Sequence, residues 1–126
     1  MYPEDLKYSK DHEWVRVEGE EWVFGITDFA QSELGEVVFV ELPEVGDSFA
    51  AGDEVGTIES VKAVAEVYAP VGGDIVAINE LLADAPEKVN EDPHGAGWLA
   101  RVRPASTADL EQLMDAAAYQ ELIADG

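Results

Sequence analysis

The sequence predicts a mainly β protein, a sandwich or flattened barrel that ends in a helix. Three observations predict this. Short runs of Val, Ile and aromatic residues are punctuated by Gly, Pro and Asp every eight to twelve residues, the rhythm of an all-β sheet. Within those runs the apolar residues alternate or sit in brief continuous blocks, too short for core helices. After Ser106 the period changes to that of a helix. A chain of 126 residues is the size of one domain, read here as residues 1–126 with its core in about 6–104.

Taken in order, His12 to Val17 and Glu21 to Ile26 flank Gly19 and read as a hairpin. Thr27 can cap a short helix over 28–34, stopped by Gly35. Glu36 to Leu42 holds Val37, Val38, Phe39 and Val40 in one block, short and β-branched, and so reads as a strand buried on both faces. Val55 to Val61 and Ala63 to Tyr68 are strands that meet at Lys62; in the second, Ala63, Ala65 and Val67 share one side. Pro70 and Gly72-Gly73 turn the chain into a strand from Asp74 to Ile78. Leu81 to Asn90 reads as a loop with a helical turn, and His94-Gly95-Ala96-Gly97 as a flexible lead into a strand from Trp98 to Val102. Ser106-Thr107-Ala108-Asp109 is a capping-box variant before a helix over 107–124, with Leu110, Leu113, Met114, Ala117 and Leu122 on one face. Gly-Asp precedes a strand at Gly46-Asp47, Gly52-Asp53 and Gly73-Asp74, an echo of paired strands or ordinary turn chemistry.

Charge narrows the function. There are 28 Asp+Glu against 7 Lys+Arg, a formal net charge of −21. A polyanion of this kind repels nucleic acid and anionic membrane surfaces, so neither is an expected partner. No uninterrupted apolar run exceeds four residues, and the start, Met1-Tyr2-Pro3-Glu4-Asp5, has no signal- or transit-peptide character. With no Cys there are no disulfides and no thiolate chemistry. These features predict a cytoplasmic protein, and the acidity suits the high-salt cytoplasm of a halophilic prokaryote.

A catalytic constellation is not expected. Adjacent carboxylates on a strand point to opposite faces, His12 and His94 lack metal-ligand spacing, and Ser60 has no neighbouring base. What remains is Lys62. From Val17 to Glu87 there are 17 acidic residues and one basic residue, Lys62, at a hairpin tip. The bland account is a surface pair with Glu59 or Glu66, worth about 0–1 kcal/mol. The functional account is covalent extension: acylating the amine removes its charge and creates a long arm projecting away from the protein.

At these residues the sequence resembles the H-protein family of the glycine cleavage system. Glu59-Ser60-Val61-Lys62-Ala63 is similar to the family's lipoyl-attachment signature. His12-Glu13-Trp14-Val15, Gly25 to Gln31 and Leu34 to Pro43 match upstream; Ala69 to Asn79, Asn90 and Gly97-Trp98-Leu99 match downstream. The resemblance covers roughly residues 6 to 122; its departures are Gly72-Gly73 at the turn and the unusual acidity.

The resemblance implies the barrel-sandwich hybrid fold of lipoyl and biotinyl domains and a non-catalytic carrier with no metal. It implies lipoic acid in amide linkage at Lys62, put there by a lipoylating enzyme. Its partners would be the P-protein, which decarboxylates glycine, the T-protein, which takes the aminomethyl group, and the L-protein, which takes the reducing equivalents. The family also shelters the loaded arm in a surface groove. Glu13 could line it, pairing with the arm's protonated amine; the plainer alternative is a solvated strand residue. A lipoyl relay serving other enzymes is not separated from this by sequence. A 2-oxoacid dehydrogenase lipoyl domain would be shorter with an Asp-Lys-Ala tip, and a biotinyl carrier would flank its Lys with Met.

Overall fold

The structure, a computed structural model, describes residues 2–125. Met1 and Gly126, the ends of the expected 1–126 domain, lie outside these. In chain order the strands and helices are β1 (Lys7–Tyr8), β2 (Glu13–Glu18), β3 (Glu21–Ile26), α1 (Asp28–Leu34), β4 (Val37–Glu41), β5 (Ser48–Phe49), β6 (Glu54–Ser60), β7 (Val64–Tyr68) and β8 (Gly73–Ile78). Then follow α2 (Leu81–Asp84), α3 (Lys88–Glu91), β9 (Ala100–Pro104), a 3-10 turn (Thr107–Gln112) and α4 (Ala116–Asp125). One sheet runs β1-β2-β3-β9-β8-β5 and the other β4-β6-β7, with antiparallel pairing throughout. The mainly β expectation is met, and the two-sheet form accords with a barrel-sandwich.

The larger core joins the sheets. Val15, Phe24, Ile75 and Val102 from one meet Val37, Val40, Ile58 and Val67 from the other. Strand alternation then sends Trp14 and Val23 to the far face of β2 and β3. There they form a second cluster with Leu6, Tyr8, Ala116 and Tyr119. The six-stranded sheet is therefore apolar on both sides at this point.

That second core corrects the C-terminal expectation. The helix does not run unbroken from 107 to 124. Residues 107–112 are a 3-10 turn, Leu113 is extended, and α4 begins at Ala116. Leu110 and Leu113 pack on the larger core while Met114, Ala116, Tyr119 and Ile123 serve the smaller. One straight helix cannot reach both. The break is filled by a β-bridge, with Tyr8 and Met114 exchanging backbone hydrogen bonds of 2.8 and 2.7 Å. The buried face of α4 carries Ala116 and Tyr119; Leu122, expected on it, is exposed. Asp109, expected to complete a capping box, accepts from Gly72 N–H at 2.9 Å and anchors the turn before β8. Asp115 Oδ1 caps α4 through Ala118 N–H.

Two further expectations change. β4 is not buried on both faces. A bulge between Val37 and Phe39 turns both Val38 and Phe39 to solvent, 43% and 56% exposed, while Val37 and Val40 face the core. The His94–Gly97 segment is no flexible lead: Asp92 O accepts from the N–H groups of Gly95 and Gly97, and Asp92 Oδ2 from Ala96 N–H.

The Gly-Asp echo is genuine for two of its three copies. Gly46 N–H donates to Ile75 O and Asp47 O accepts from Ile75 N–H; Gly52 and Asp53 treat Ala69 identically. Asp47 and Asp53 each also accept, through Oδ2, from the N–H three residues earlier. Turn chemistry and paired-strand symmetry thus coincide at these positions.

Candidate functional site

Lys62 occupies the tip between β6 and β7. Sequence alone offers no Gly or Pro to make that turn, and Ser60 supplies what is missing. Its hydroxyl, buried beneath the tip, accepts from Ala63 N–H at 3.0 Å and Lys62 N–H at 3.3 Å. Ser60 N–H donates to Ala63 O at 2.7 Å, and its hydroxyl reaches the same oxygen at 3.2 Å. Val61 N–H donates to Glu36 O, tying the tip to the chain between α1 and β4. The backbone under Lys62 is therefore fixed while the side chains around it, Val61, Ala63 and Val64, are exposed. Glu59 is also exposed, one strand position below.

Neither expected carboxylate claims the lysine. Among the described residues the ion pairs are Arg16–Glu18, Lys88–Glu91, Arg101–Glu18 and Arg103–Glu21. The stem does not project straight outward either. It lies over Gly35, where an added Cβ would meet Lys62 Cε at 3.3 Å. Gly35 closes α1 at φ 80°, a left-handed value that favours Gly, so the helix stop and the resting place of the lysine share one residue.

Beside this resting place opens a cleft of about 350 Å³ between α1 and strands β2, β3, β6 and β7. Phe29, Ala30 and Leu34 form its helical wall, and Ile26, Ile58, Ala65 and Val67 face them. Asp11, Glu33 and Glu66 also line it.

Glu13 lines the same cleft at only 2% exposure, so it is not a solvated strand residue. Ser9 Oγ donates to Glu13 Oε1 at 2.6 Å and Tyr68 N–H donates to Oε2 at 3.3 Å. No cation reaches it among the described residues. Burial pushes the carboxyl up to about 7, further than the Ser9 and Tyr68 hydrogen bonds pull it down, and nearby Asp11 raises it as well. A buried carboxylate with a raised pKa and no counter-ion, lining an apolar cleft, is suited to receive a cationic group on an apolar stem.

Beyond the Thr27 cap, the contacts that position α1 leave no mark in the sequence. Thr27 Oγ1 caps the helix by accepting from Ala30 N–H, and the same oxygen lies 2.7 Å from Tyr119 Oη. Tyr119 Oη also meets His12 Nδ1 at 2.8 Å. His94 Nε2 accepts from Asp28 N–H at 3.1 Å, which requires the neutral ring; burial keeps the pKa of His94 low. Asn90 clamps the other end, donating to Gly35 O and Gln31 Oε1 and accepting from Val37 N–H. Ser9, Thr27, His94 and Tyr119 come from four distant stretches of chain, and nothing in their spacing links them.

An antiparallel two-sheet domain with one lysine on an exposed, rigid hairpin tip is the architecture of the lipoyl- and biotinyl-type carriers. The comparisons with known proteins make the class specific. The chain belongs to the glycine cleavage H-protein family, whose model matches residues 6–126. It is 52% identical over 121 residues to the glycine cleavage system H protein of Anaeromyxobacter sp. (strain K), covering 96% of this chain and 94% of that one. It is 55% identical over 124 residues to the H protein of Halorhodospira halophila, covering 98% and 95%. A crystal structure of a glycine cleavage system H protein from Mycobacterium marinum superposes with a TM-score of 0.91 at 38% identity, over 98% of this chain and 99% of that one. Among the described residues no helix is long and apolar enough to cross a membrane.

Proposed function

We infer that this protein is the lipoyl-bearing shuttle of a glycine cleavage system. It would receive the aminomethyl group generated by the P-protein, present it to the T-protein and deliver reducing equivalents to the L-protein. The observation that carries this reading is the pairing of a lysine with no ion-pair partner among the described residues, on a fixed, exposed tip, with a largely apolar cleft lined by a buried carboxylate. Family membership supplies the pathway.

Lipoic acid in amide linkage to Lys62 suits the residues present. The tip Glu59-Ser60-Val61-Lys62-Ala63 leaves the amine accessible, and the cleft wall of Phe29, Ala30 and Leu34 suits a hydrocarbon arm. When attached, lipoate supplies a disulfide that carries the one-carbon amine and two electrons; the hard chemistry belongs to the partner enzymes. This chain's residues bind, orient and shelter. Ser60 fixes the tether point, α1 shields one side of the cleft, and Glu13 faces the incoming ammonium. On this reading the carrier is not itself an enzyme. Tethering raises the effective concentration of the group at successive partner sites.

The single-domain reading of residues 1–126 is part of the proposal, supported by a sheet that draws strands from both ends of the chain. A cytoplasmic location is likewise proposed, from the composition and the bacterial relatives.

Intact-mass analysis of the chain from a lipoylation-competent host tests the attachment. The expected result is one lipoyl adduct mapping to Lys62 and absent from Lys62→Ala. An adduct confined to Lys88 or another Lys overturns it. Reconstitution of glycine cleavage with P-, T- and L-proteins then separates the shuttle from a lipoyl relay serving other enzymes.

A further inference from the structure

The β4 bulge has a result that the core does not require. Val37 and Val40 fill the two inward positions, so Val38 and Phe39 could be polar without loss to folding. Instead they expose a Val and a Phe. Across the sheet Phe39 lies opposite Glu59, and Glu59 opposite Val64 at 62% exposure. One turn further, Val61 is 70% exposed beside Lys62. A single exposed Val needs no cause, but several exposed apolar side chains gathered about one point, here with Glu59 between Phe39 and Val64, mark an interaction surface. Here they surround the proposed modification site on a chain of net charge −21.

We propose that the collar of Val38, Phe39, Val61 and Val64 is the docking surface for the enzyme that acylates Lys62. This rests on the reading of Lys62 as the lipoyl site. The occupant follows from reach. An enzyme acting on a finished arm can stand off from the tip. The acylating enzyme meets a bare lysine, whose amine extends only a four-carbon stem beyond the backbone. Its active site must approach within that stem, so its rim must cover the neighbouring side chains. Glu59 sits amid the collar and Glu41 lies two positions further along β4 on the same face; neither has an ion-pair partner among the described residues. The matching rim therefore combines an apolar lip with basic residues, which would steer encounter and fix orientation.

The test uses the full unlipoylated chain, lipoate and ATP with a purified lipoate–protein ligase, and reads kcat and KM for the carrier. Phe39→Ser and Val64→Ser should each raise KM about tenfold, the scale of one lost anchoring contact, with kcat nearly unchanged. Val17→Ser, an exposed apolar residue on the β2–β3 hairpin, should leave both constants unchanged. Thermal midpoints matching wild type show that the variants fold. Unchanged KM in both collar variants overturns the proposal while leaving Lys62 as the attachment site. So does sedimentation showing that wild type self-associates through the collar and that Phe39→Ser dissociates it. Failure of the wild type to be acylated at Lys62 sinks the carrier reading and the collar together.

Discussion

Replacing Glu13 by Gln should stabilise the protein at alkaline pH and leave it nearly unchanged below about pH 4.5. Glu13 is 2% exposed, and its carboxyl is raised from 4.5 to about 7. A carboxyl whose pKa is higher folded than unfolded binds more protons in the native state across that interval. Stability is therefore fully present below about pH 4.5, falls as pH rises to about 7, and is flat above. At roughly 1.4 kcal/mol per pH unit the interval corresponds to about 3 kcal/mol. A Gln of the same shape can turn its carbonyl to Tyr68 N–H and its amide to Ser9 Oγ, so it keeps both contacts without the buried charge. Urea unfolding of the unlipoylated wild type and variant, every half unit from pH 5 to 9, reads the difference directly. Subtracting one curve from the other removes the repulsion among the remaining carboxylates, which both proteins share. The expected result is a difference that grows from about 1 kcal/mol at pH 5 to about 3 kcal/mol at pH 8. A difference independent of pH, or one favouring wild type at pH 8, refutes the description of Glu13 as a buried acid with no cation beside it among the described residues.

Other outcomes follow from the same structure. Thr27→Ala removes the cap from α1 and a partner of Tyr119 Oη, and should lower the unfolding free energy by about 1–2 kcal/mol in a urea titration. Lys62→Arg keeps the charge and should keep the thermal midpoint, yet abolish glycine cleavage in the reconstituted system, because a guanidinium cannot be acylated in place of the amine. Few of the 28 acidic residues have a basic partner among the described residues, so the urea midpoint should rise between low and molar potassium chloride; a flat or falling midpoint contradicts this.

What sequence could reveal was local. Thr27 before Asp28 and Gly35 after Leu34 bracketed α1 correctly because capping is chemistry between near neighbours. β3 was legible over its whole length for a similar reason, as an apolar run between Gly19 and a capping Thr. Lys62 stood out as the one basic residue in a long acidic stretch. The misreadings arise where distant packing decides. Val37 to Val40 looked doubly buried since a bulge leaves no mark in composition. The C-terminal segment kept a helical period although two separate cores divide it. Ser9 acts on Glu13 by hydrogen bonding in a turn, and Tyr119 reaches Thr27 across 92 residues of chain. Neither contact has a periodicity to betray it.

Gly35 shows how the proposed tether, Lys62, and its scaffold constrain each other. A residue with a side chain there would have to adopt an unfavourable backbone conformation and would also push into the lysine stem at 3.3 Å. The two penalties are separable. A D-alanine incorporated by chemical synthesis accepts the left-handed backbone, but its methyl group points elsewhere than an L-residue's. Comparing it with L-alanine would divide the cost of ending the helix from the cost of moving the lysine. The direction in which a swinging arm sets out would then be a design variable independent of the fold that carries it.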